Sequence, residues 1–575
     1  MTILSVDNAW NMLITHLFLL LFVGIRLGSC SHFKLSLIIK FKLLVLCNSF
    51  FHKTHALPID TNFTLPSPLP NWPAGGDFAT GEIDLGGLQV RQVTSFHRIW
   101  ATDKGGPDDS GATFFEPSPI PDGFSMLGSY AQPNNRPLSG WVLVAKTDQS
   151  AQILTQPTNY SLIWSNDNSS GNPAFFWLPI PPDGYKSLGL VVTTSPEKPS
   201  PDKIRCVRSD FTADTEIDDW IWSQGINVYG LRPRIRGAGA QPVSVGTFVI
   251  QNDAVALSSL INKNPNYTSG RLSRSQMEAV FRAYAPYVYF HPDESYLPAS
   301  VNCFFSNGAL LYKKGEESNP VRVEPDGANL PRGGSGDGLY WLDLPAERGA
   351  RDRVRVGDLP SAEAYVHFKP ILGGTFTDIQ VWLFYPFNGH AIAKVGLIKR
   401  LSLGRAGEHV GDWEHVTLRV SNFDGALHKV YFSQHSGGRW VDSRLLQFQS
   451  GNRFVWYASR NGHAGNYEEG LYLQGPGDGV GIRNDWARSD KVMDAGARFA
   501  VVAAEGVAEP AWLSYERKWG PTEKYDTAVE VRRVKKLLPG KLKKALEGLV
   551  KVIDEVFGKD GPTGPKVKNN WSGDE

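Results

Sequence analysis

Cysteine is scarce in this chain and poorly placed for cross-linking. Of four, Cys30 and Cys47 fall in the leading segment, and only Cys206 and Cys303 lie in the long body that follows. A secreted protein of 575 residues would ordinarily carry more disulfides, so the body is expected to fold in a reducing compartment. Excess charge of one sign is also lacking. Fifty-nine basic residues stand against 58 acidic ones, which leaves no global basic field for nucleic acid. A clean apolar run of membrane-spanning length is missing too. Asn11 to Val23 and Leu35 to Phe51 are apolar blocks, but the second is broken by Lys40 and Lys42. Residues 1–57 are therefore open to three readings: a signal peptide, a membrane anchor, or a wrongly joined upstream exon. Gly333-Gly334-Ser335-Gly336-Asp337-Gly338 lacks the Lys-Ser/Thr ending of a phosphate loop, and no Ser-His-Asp or Cys-His order is visible. Asn-x-Ser/Thr sequons at Asn62, Asn159, Asn168, Asn266 and Asn570 suit secretion, yet such triplets arise often by chance; the cytosol is the expected compartment.

What the chain has in quantity is glycine, proline and tryptophan: 58, 38 and 17 residues, the composition of many turns around aromatic β cores. Leu65 to Pro73 is an extended Pro-rich lead-in expected to lie along a surface. Gly81 to Val93 alternates apolar and polar residues about Gly86-Gly87, as a strand pair does. An internal repeat follows. Ile99-Trp100-Ala101, Ala112-Thr113-Phe114-Phe115 and Pro121-Asp122-Gly123-Phe124 recur as Ile163-Trp164-Ser165, Ala174-Phe175-Phe176-Trp177 and Pro182-Asp183-Gly184-Tyr185. Ile221-Trp222-Ser223 and the stretch to Phe248 are a degraded third copy. In each Pro-Asp-Gly, proline fixes φ, aspartate closes the turn and glycine supplies positive φ. Repeated strand modules predict a pseudo-symmetric β-prism-like domain over 65–256, a binding or docking module without a catalytic constellation.

Ser273 or Ser275 is expected to cap an amphipathic helix from Gln276 to Tyr284, with Met277, Val280, Phe281 and Tyr284 on one face. Beyond it, strand signals at Ala364–Lys369, Ile379–Phe387, Val416–Val420 and Val430–Ser433 predict a β-sandwich over 271–535, with a few short helices. His291, Asp293 and Glu294 read either as ligands or as turn chemistry. Leu542 to Phe557 has helical apolar spacing beside Lys541, Lys543, Lys544 and Lys551, a C-terminal amphipathic helix that either packs on its own domain or lies on a membrane. The tail from Gly561 is polar and expected to be mobile; 536–575 is taken as helix and tail. The fold class is mainly β throughout.

The densest chemistry lies in Gly407-Glu408-His409-Val410-Gly411-Asp412-Trp413-Glu414-His415-Val416. His409, Asp412 and Glu414 offer one imidazole and two carboxylates, a hard donor set for a divalent cation such as calcium or magnesium. Asp412 and Glu414 point the same way along a strand, and His409 needs a bend at Gly411 to join them. The same residues also suit hydrogen bonds and salt bridges at a strand edge.

From about Leu65 onward the chain resembles the plant family of vacuolar protein sorting-associated protein 62. The carrying segments include Gly111-Ala112-Thr113-Phe114-Phe115-Glu116-Pro117, Gln132-Pro133-Asn134-Asn135-Arg136-Pro137, Phe305-Ser306-Asn307-Gly308, Gly411-Asp412-Trp413-Glu414-His415 and Gly561-Pro562-Thr563-Gly564-Pro565-Lys566. The N-terminal repeat module also looks like the β-prism domains found in some endosomal sorting proteins. A second resemblance is to necrosis-inducing plant-pathogen toxins, whose Gly-His-Arg-His-Asp-Trp-Glu motif binds a divalent cation on a β-sandwich. It implies His409, Asp412 and Glu414 as cation ligands and puts Asn388, in Tyr385-Pro386-Phe387-Asn388, where the toxins have a further carboxylate. The resemblances imply a non-catalytic protein of vacuolar and endomembrane sorting, cytoplasmic or peripheral to endomembranes, whose partners are membrane lipid or trafficking proteins and not nucleic acid. If residues 1–57 do target the chain, the secretory pathway or a membrane anchor is implied instead. Two alternatives stand beside this: a metal-dependent hydrolase using His409, Asp412 and Glu414 with Glu408, His415 or His435 as general base, and a lipid-binding or membrane-active protein.

Overall fold

Short strands cut by Gly and Pro-Asp-Gly turns can close a core only by repetition, and the chain does this in its first half. The computed structural model describes residues 57–166, 172–251, 255–266, 272–434, 437–477, 480–522, 527–536 and 561–574. The leader, His435 and the expected helix at 542–557 lie outside these residues. The repeat builds three three-stranded sheets: Phe96–Ala101, Ala112–Pro117 and Tyr130–Pro133; Asn159–Asn166, Ala174–Ile180 and Val191–Thr193; Thr215–Ser223, Asn227–Pro233 and Phe248–Ile250. Their first strands deliver Trp100, Trp164 and Trp222 to a common centre, with ring centroids 5.6–6.0 Å apart in all three pairs. Phe114, Phe176 and Phe248 form a second mutually touching triad, the last from its sheet's outer strand. The domain is thus a pseudo-threefold, β-prism-like unit. Gly128 is fixed by close approach, since a Cβ there would stand 2.7 Å from Gly189 Cα.

The Pro-rich lead-in does lie along a surface, that of the second half. Ser67 exchanges hydrogen bonds with the Asn452 side chain (2.8 and 2.9 Å), and Trp72 Nε1 donates to the Asp424 carbonyl at 2.9 Å. The capped helix forms as Arg274–Tyr284. Ser273 and Gln276 make a reciprocal capping box, and Met277, Val280, Phe281 and Tyr284 are buried.

The second half is a sandwich. A six-stranded sheet runs Gly437–Asp442, Leu427–Gln434, His409–Ser421, Phe376–Asn388, Ala364–Ile371 and Phe499–Ala503, antiparallel except for the last pair. One face packs Val366, Val381, Val416, Leu418 and Val430 against the helix and against Trp456 and Val288 of a second sheet. On the opposite face Trp382, Phe384 and Trp413 join Trp512 and Trp519 in another cluster.

The described part of the tail is docked on the sandwich rather than free in solvent. Thr563 bridges Lys518, Trp571 stacks on His367 at 4.0 Å, and Lys369 Nζ donates to the carbonyls of Asn570 (2.7 Å) and Gly573. Its end also reaches the prism: Ala238 N–H donates to the Ser572 carbonyl at 2.7 Å, and Arg236 pairs with Asp574 at 3.1 Å. Polarity suggested solvent, but the sheet face beneath is itself polar and gives the tail hydrogen-bond partners that water would otherwise supply.

Candidate functional site

The strand carrying the histidine–acid cluster is longer than its apolar alternation indicated. It spans His409–Ser421 and pairs antiparallel with Phe376–Asn388, so that Asn388 opposes His409, Tyr385 opposes Asp412 and Leu383 opposes Glu414. The ladder therefore places all four candidate ligands on two adjacent strands. The expected bend exists: Gly411 has φ of 68°, and a Cβ there would meet the Trp519 carbonyl oxygen at 2.6 Å. The bend puts Val410 and Trp413 in one apolar cluster and leaves His409 and Asp412 close enough to act on each other electrostatically.

Each candidate ligand is steadied by a second group. His409 Nδ1 lies 2.7 Å from the Gly411 carbonyl and so carries the proton. Asp412 Oδ2 lies 2.9 Å from His463 Nδ1, while His463 Nε2 donates to the Tyr296 carbonyl at 3.0 Å. The Ser433 hydroxyl accepts from the His415 backbone N–H at 3.1 Å and bonds Glu414 Oε2. Asn388 Nδ2 donates to the Gly389 and Gly407 carbonyls at 3.1 and 2.8 Å. His463 lies flat on Tyr385, with centroids 3.8 Å apart. Its loop is held by Glu294, which accepts from the N–H groups of Ser295, Tyr296 and Asn461. Glu294 thus acts by turn chemistry. His291 does likewise, its Nδ1 accepting from the Asp293 N–H at 3.0 Å.

Burial divides the two carboxylates. It pushes the Glu414 carboxyl well above the usual range, and the neighbouring Asp412 charge adds to this. Asp412 feels the same burial, but the His463 hydrogen bond and the charges of His409, His463 and Lys568 hold it low. The two carboxyls are thereby pushed in opposite directions. Burial lowers His409 as well, and it holds His415 down at about 3. Lys568, from the docked tail, acts on His409, Asp412, Glu414 and His415 alike. A cavity of about 640 Å3 opens beside the cluster, lined by Glu414, His415, Ser433, Trp440, Lys568 and Asn570 among others.

By residue type His409, Asp412, Glu414 and Asn388 are hard donors. Among the described residues no hydrogen bond engages His409 Nε2, Asn388 Oδ1, or the second oxygens of Asp412 and Glu414, and outer partners orient each ligand as in metal sites. The spacing does not yet close. Among the described residues no three His, Cys, Asp or Glu side chains form a group that could hold a metal ion as they stand. Of the proposed bases, Glu408 faces Arg405 at 3.4 Å and His415 is buried and weakly basic. Sequence spacing missed His463 and Lys568 as members of the site. His463 arrives from the turn between the strands Arg453–Ala458 and Gly465–Asn466, and Lys568 from the tail, both remote in the chain from His409.

A mainly β protein with a prism-like first half and a sandwich whose end gathers buried acids, histidines and a tail lysine defines the class. The chain belongs to the vacuolar protein sorting-associated protein 62 family, whose model matches residues 59–575. Among solved structures, GNIP1Aa from Chromobacterium piscinae is similar at 19% identity over 34% of this chain and 40% of that one, with a TM-score of 0.26. Necrosis and Ethylene inducing Protein 2 from the causal agent of cocoa's Witches Broom disease is similar at 14% identity over 33% of this chain and 67% of that one, with a TM-score of 0.18. The matched region therefore spans less than half of the first of these. No curated protein matches the chain. Among the described residues no helix is long and apolar enough to cross a membrane.

Proposed function

We propose that this chain is a non-catalytic binding protein of vacuolar and endomembrane sorting, cytoplasmic and peripheral to those membranes. In this reading residues 65–256 dock trafficking proteins or membrane lipid, and the 271–535 sandwich takes calcium or magnesium through Asn388, His409, Asp412 and Glu414. The family supports the cellular role. The observation that carries the cation reading is the pairing of each candidate ligand with its own outer partner: Gly411, His463 and Ser433 fix one atom each of His409, Asp412 and Glu414. Binding would displace the Lys568 charge and ionise Glu414, so affinity should rise with pH.

Binding is favoured over hydrolysis by what the candidate bases are doing. His415 is too weakly basic to hold a proton near neutrality, Glu408 faces Arg405, and both nitrogens of His463 face oxygen partners. The test is thermal unfolding of the full chain with millimolar calcium or magnesium. The melting temperature should rise by a few degrees, Asp412→Asn should remove the shift, and Asn388→Asp should enlarge it by restoring a carboxylate. A melt unmoved by either cation, in the natural chain and in Asn388→Asp, sinks the cation reading.

A further inference from the structure

A lysine inside the six-stranded sheet finds its hydrogen-bond acceptors outside it. Lys369, on Ala364–Ile371, is only 2% exposed. Asp378 opposes it in the ladder, but both oxygens of that carboxylate are engaged by Arg419 at 2.9 Å. Among the described residues Lys369 Nζ donates only to the tail, to the carbonyls of Asn570 at 2.7 Å and of Gly573. Gln380, also buried and on the neighbouring strand, donates from Nε2 to the same Asn570 carbonyl. Trp440 Nε1 donates to the Asp574 carbonyl at 3.0 Å, and the Ala238 N–H of the prism donates to that of Ser572 at 2.7 Å. A buried ammonium is tolerated only with acceptors around it, so this face is built for a segment that supplies carbonyls.

Those carbonyls come from one helical turn, Asn569–Ser572, and the two residues after it. The last carbonyls of a helix have no partner within it, and here the protein body provides the donors. Two tail side chains add contacts of their own. Trp571 lies flat on His367, with centroids 4.0 Å apart, and Asp574 pairs with Arg236 at 3.1 Å and stands 4.0 Å from Arg419. Gly237 lets the backbone approach: its φ is 105°, and a Cβ there would stand 2.7 Å from the Ser572 carbonyl oxygen. Among the described residues no strand ladder joins 565–574 to the sheet, so side chains hold this segment as they would hold a ligand.

We propose that this face is a peptide-recognition groove, and that residues 569–574 are its resident, displaceable ligand. The partner it fits is a peptide segment with an aromatic residue three places before an acidic one, as Trp571 stands before Asp574. Backbone carbonyls are common to all peptides, so Lys369, Gln380 and Trp440 grip without reading sequence. His367 reads the ring and Arg236 reads the acid. None of these residues is a candidate cation ligand. Residues 537–560 tether the tail to the body, and a tether gives a ligand a high effective concentration over its site. A free peptide therefore competes poorly until the resident tail is loosened.

Fluorescence anisotropy with a labelled synthetic peptide of residues 561–574, titrated with the full chain, tests the groove. Trp571→Ala in the full chain loosens the resident tail without touching the groove. That chain should bind the peptide saturably, and about tenfold or more tightly than the natural chain does. Adding Lys369→Met should abolish the binding, and peptides carrying Trp571→Ala or Asp574→Asn should each bind more weakly. Should the Trp571→Ala chain melt early, Asp574→Asn in the full chain loosens the tail more gently and gives the same comparison. Failure of both loosened chains to bind the peptide overturns the proposal. So does binding no tighter than that of the natural chain, or binding that survives Lys369→Met.

Discussion

The two halves of the molecule solve the same problem, closing a β core, with opposite chemistry. Among the described residues before Ser258, the buried polar side chains are neutral: Thr113, Ser129, Gln132, Asn134, Ser187 and Thr247. The sandwich half buries His367, Lys369, Asp378, Asp412, Glu414, His415, Arg419 and His463. A core of stacked tryptophans and phenylalanines gains from area and shape alone. A buried charge is tolerated only when it is paired and hydrogen-bonded, which costs desolvation and yields position rather than net stability. The difference suggests where specificity lies: the prism is built to hold a shape, the sandwich to hold charges in place.

The largest way to break this comparison is in the prism. Trp222 is fully buried, touches Trp100 and Trp164, and donates from Nε1 to the Lys104 carbonyl at 2.8 Å. Trp222→Ala should cost ~3–5 kcal/mol, read from the urea midpoint, with little change in its pH dependence. The sandwich counterpart is the Arg419–Asp378 pair, bidentate at 2.9 Å in both bonds and laid under Trp440. Asp378→Ala should cost a similar or slightly smaller ~3–5 kcal/mol, because it strands a buried guanidinium. Adding Arg419→Met to Asp378→Leu should recover most of that loss; if it does not, the pair stabilises more than an apolar replacement would.

The smallest effect is also the most diagnostic. Burial holds His367 at about 3 against an ordinary 6.5, with the Gln380 hydrogen bond opposing the shift. Between those values the unfolded chain binds the proton that the folded chain excludes. Stability is therefore complete above pH 6.5 and falls on acidification towards pH 3, by about 1.4 kcal/mol per pH unit from this histidine. His367→Phe, which retains a ring against Trp571, should flatten the slope by that amount in urea midpoints taken between pH 6 and pH 4. An unchanged slope would mean that the tail does not seal His367 in solution.

Much of the fold was legible because it rests on local rules. The Trp100 and Trp164 segments advertise one module twice, and the triad around Trp222 shows that even a degraded copy keeps the side chain its neighbours require. The Ser273 cap and the apolar face of Arg274–Tyr284 follow from capping chemistry and helical spacing. The candidate site was legible only in part. His409, Asp412 and Glu414 share a strand, and the Gly411 bend could be anticipated from glycine's freedom at positive φ. The tail was misread because its polarity says nothing of what it covers.

By itself the sequence determined the mainly β class, the repeat, the neutral overall charge and the cluster of hard donors on one strand, since each depends on residue type and spacing. Tertiary structure alone decided that His463 pairs with Asp412, and that burial drives the Glu414 carboxyl up while its neighbours hold Asp412 down. Those outcomes depend on burial and on distances between residues remote in the chain. Neither quantity is written in local pattern, because desolvation and Coulomb energy are set by what the fold brings near.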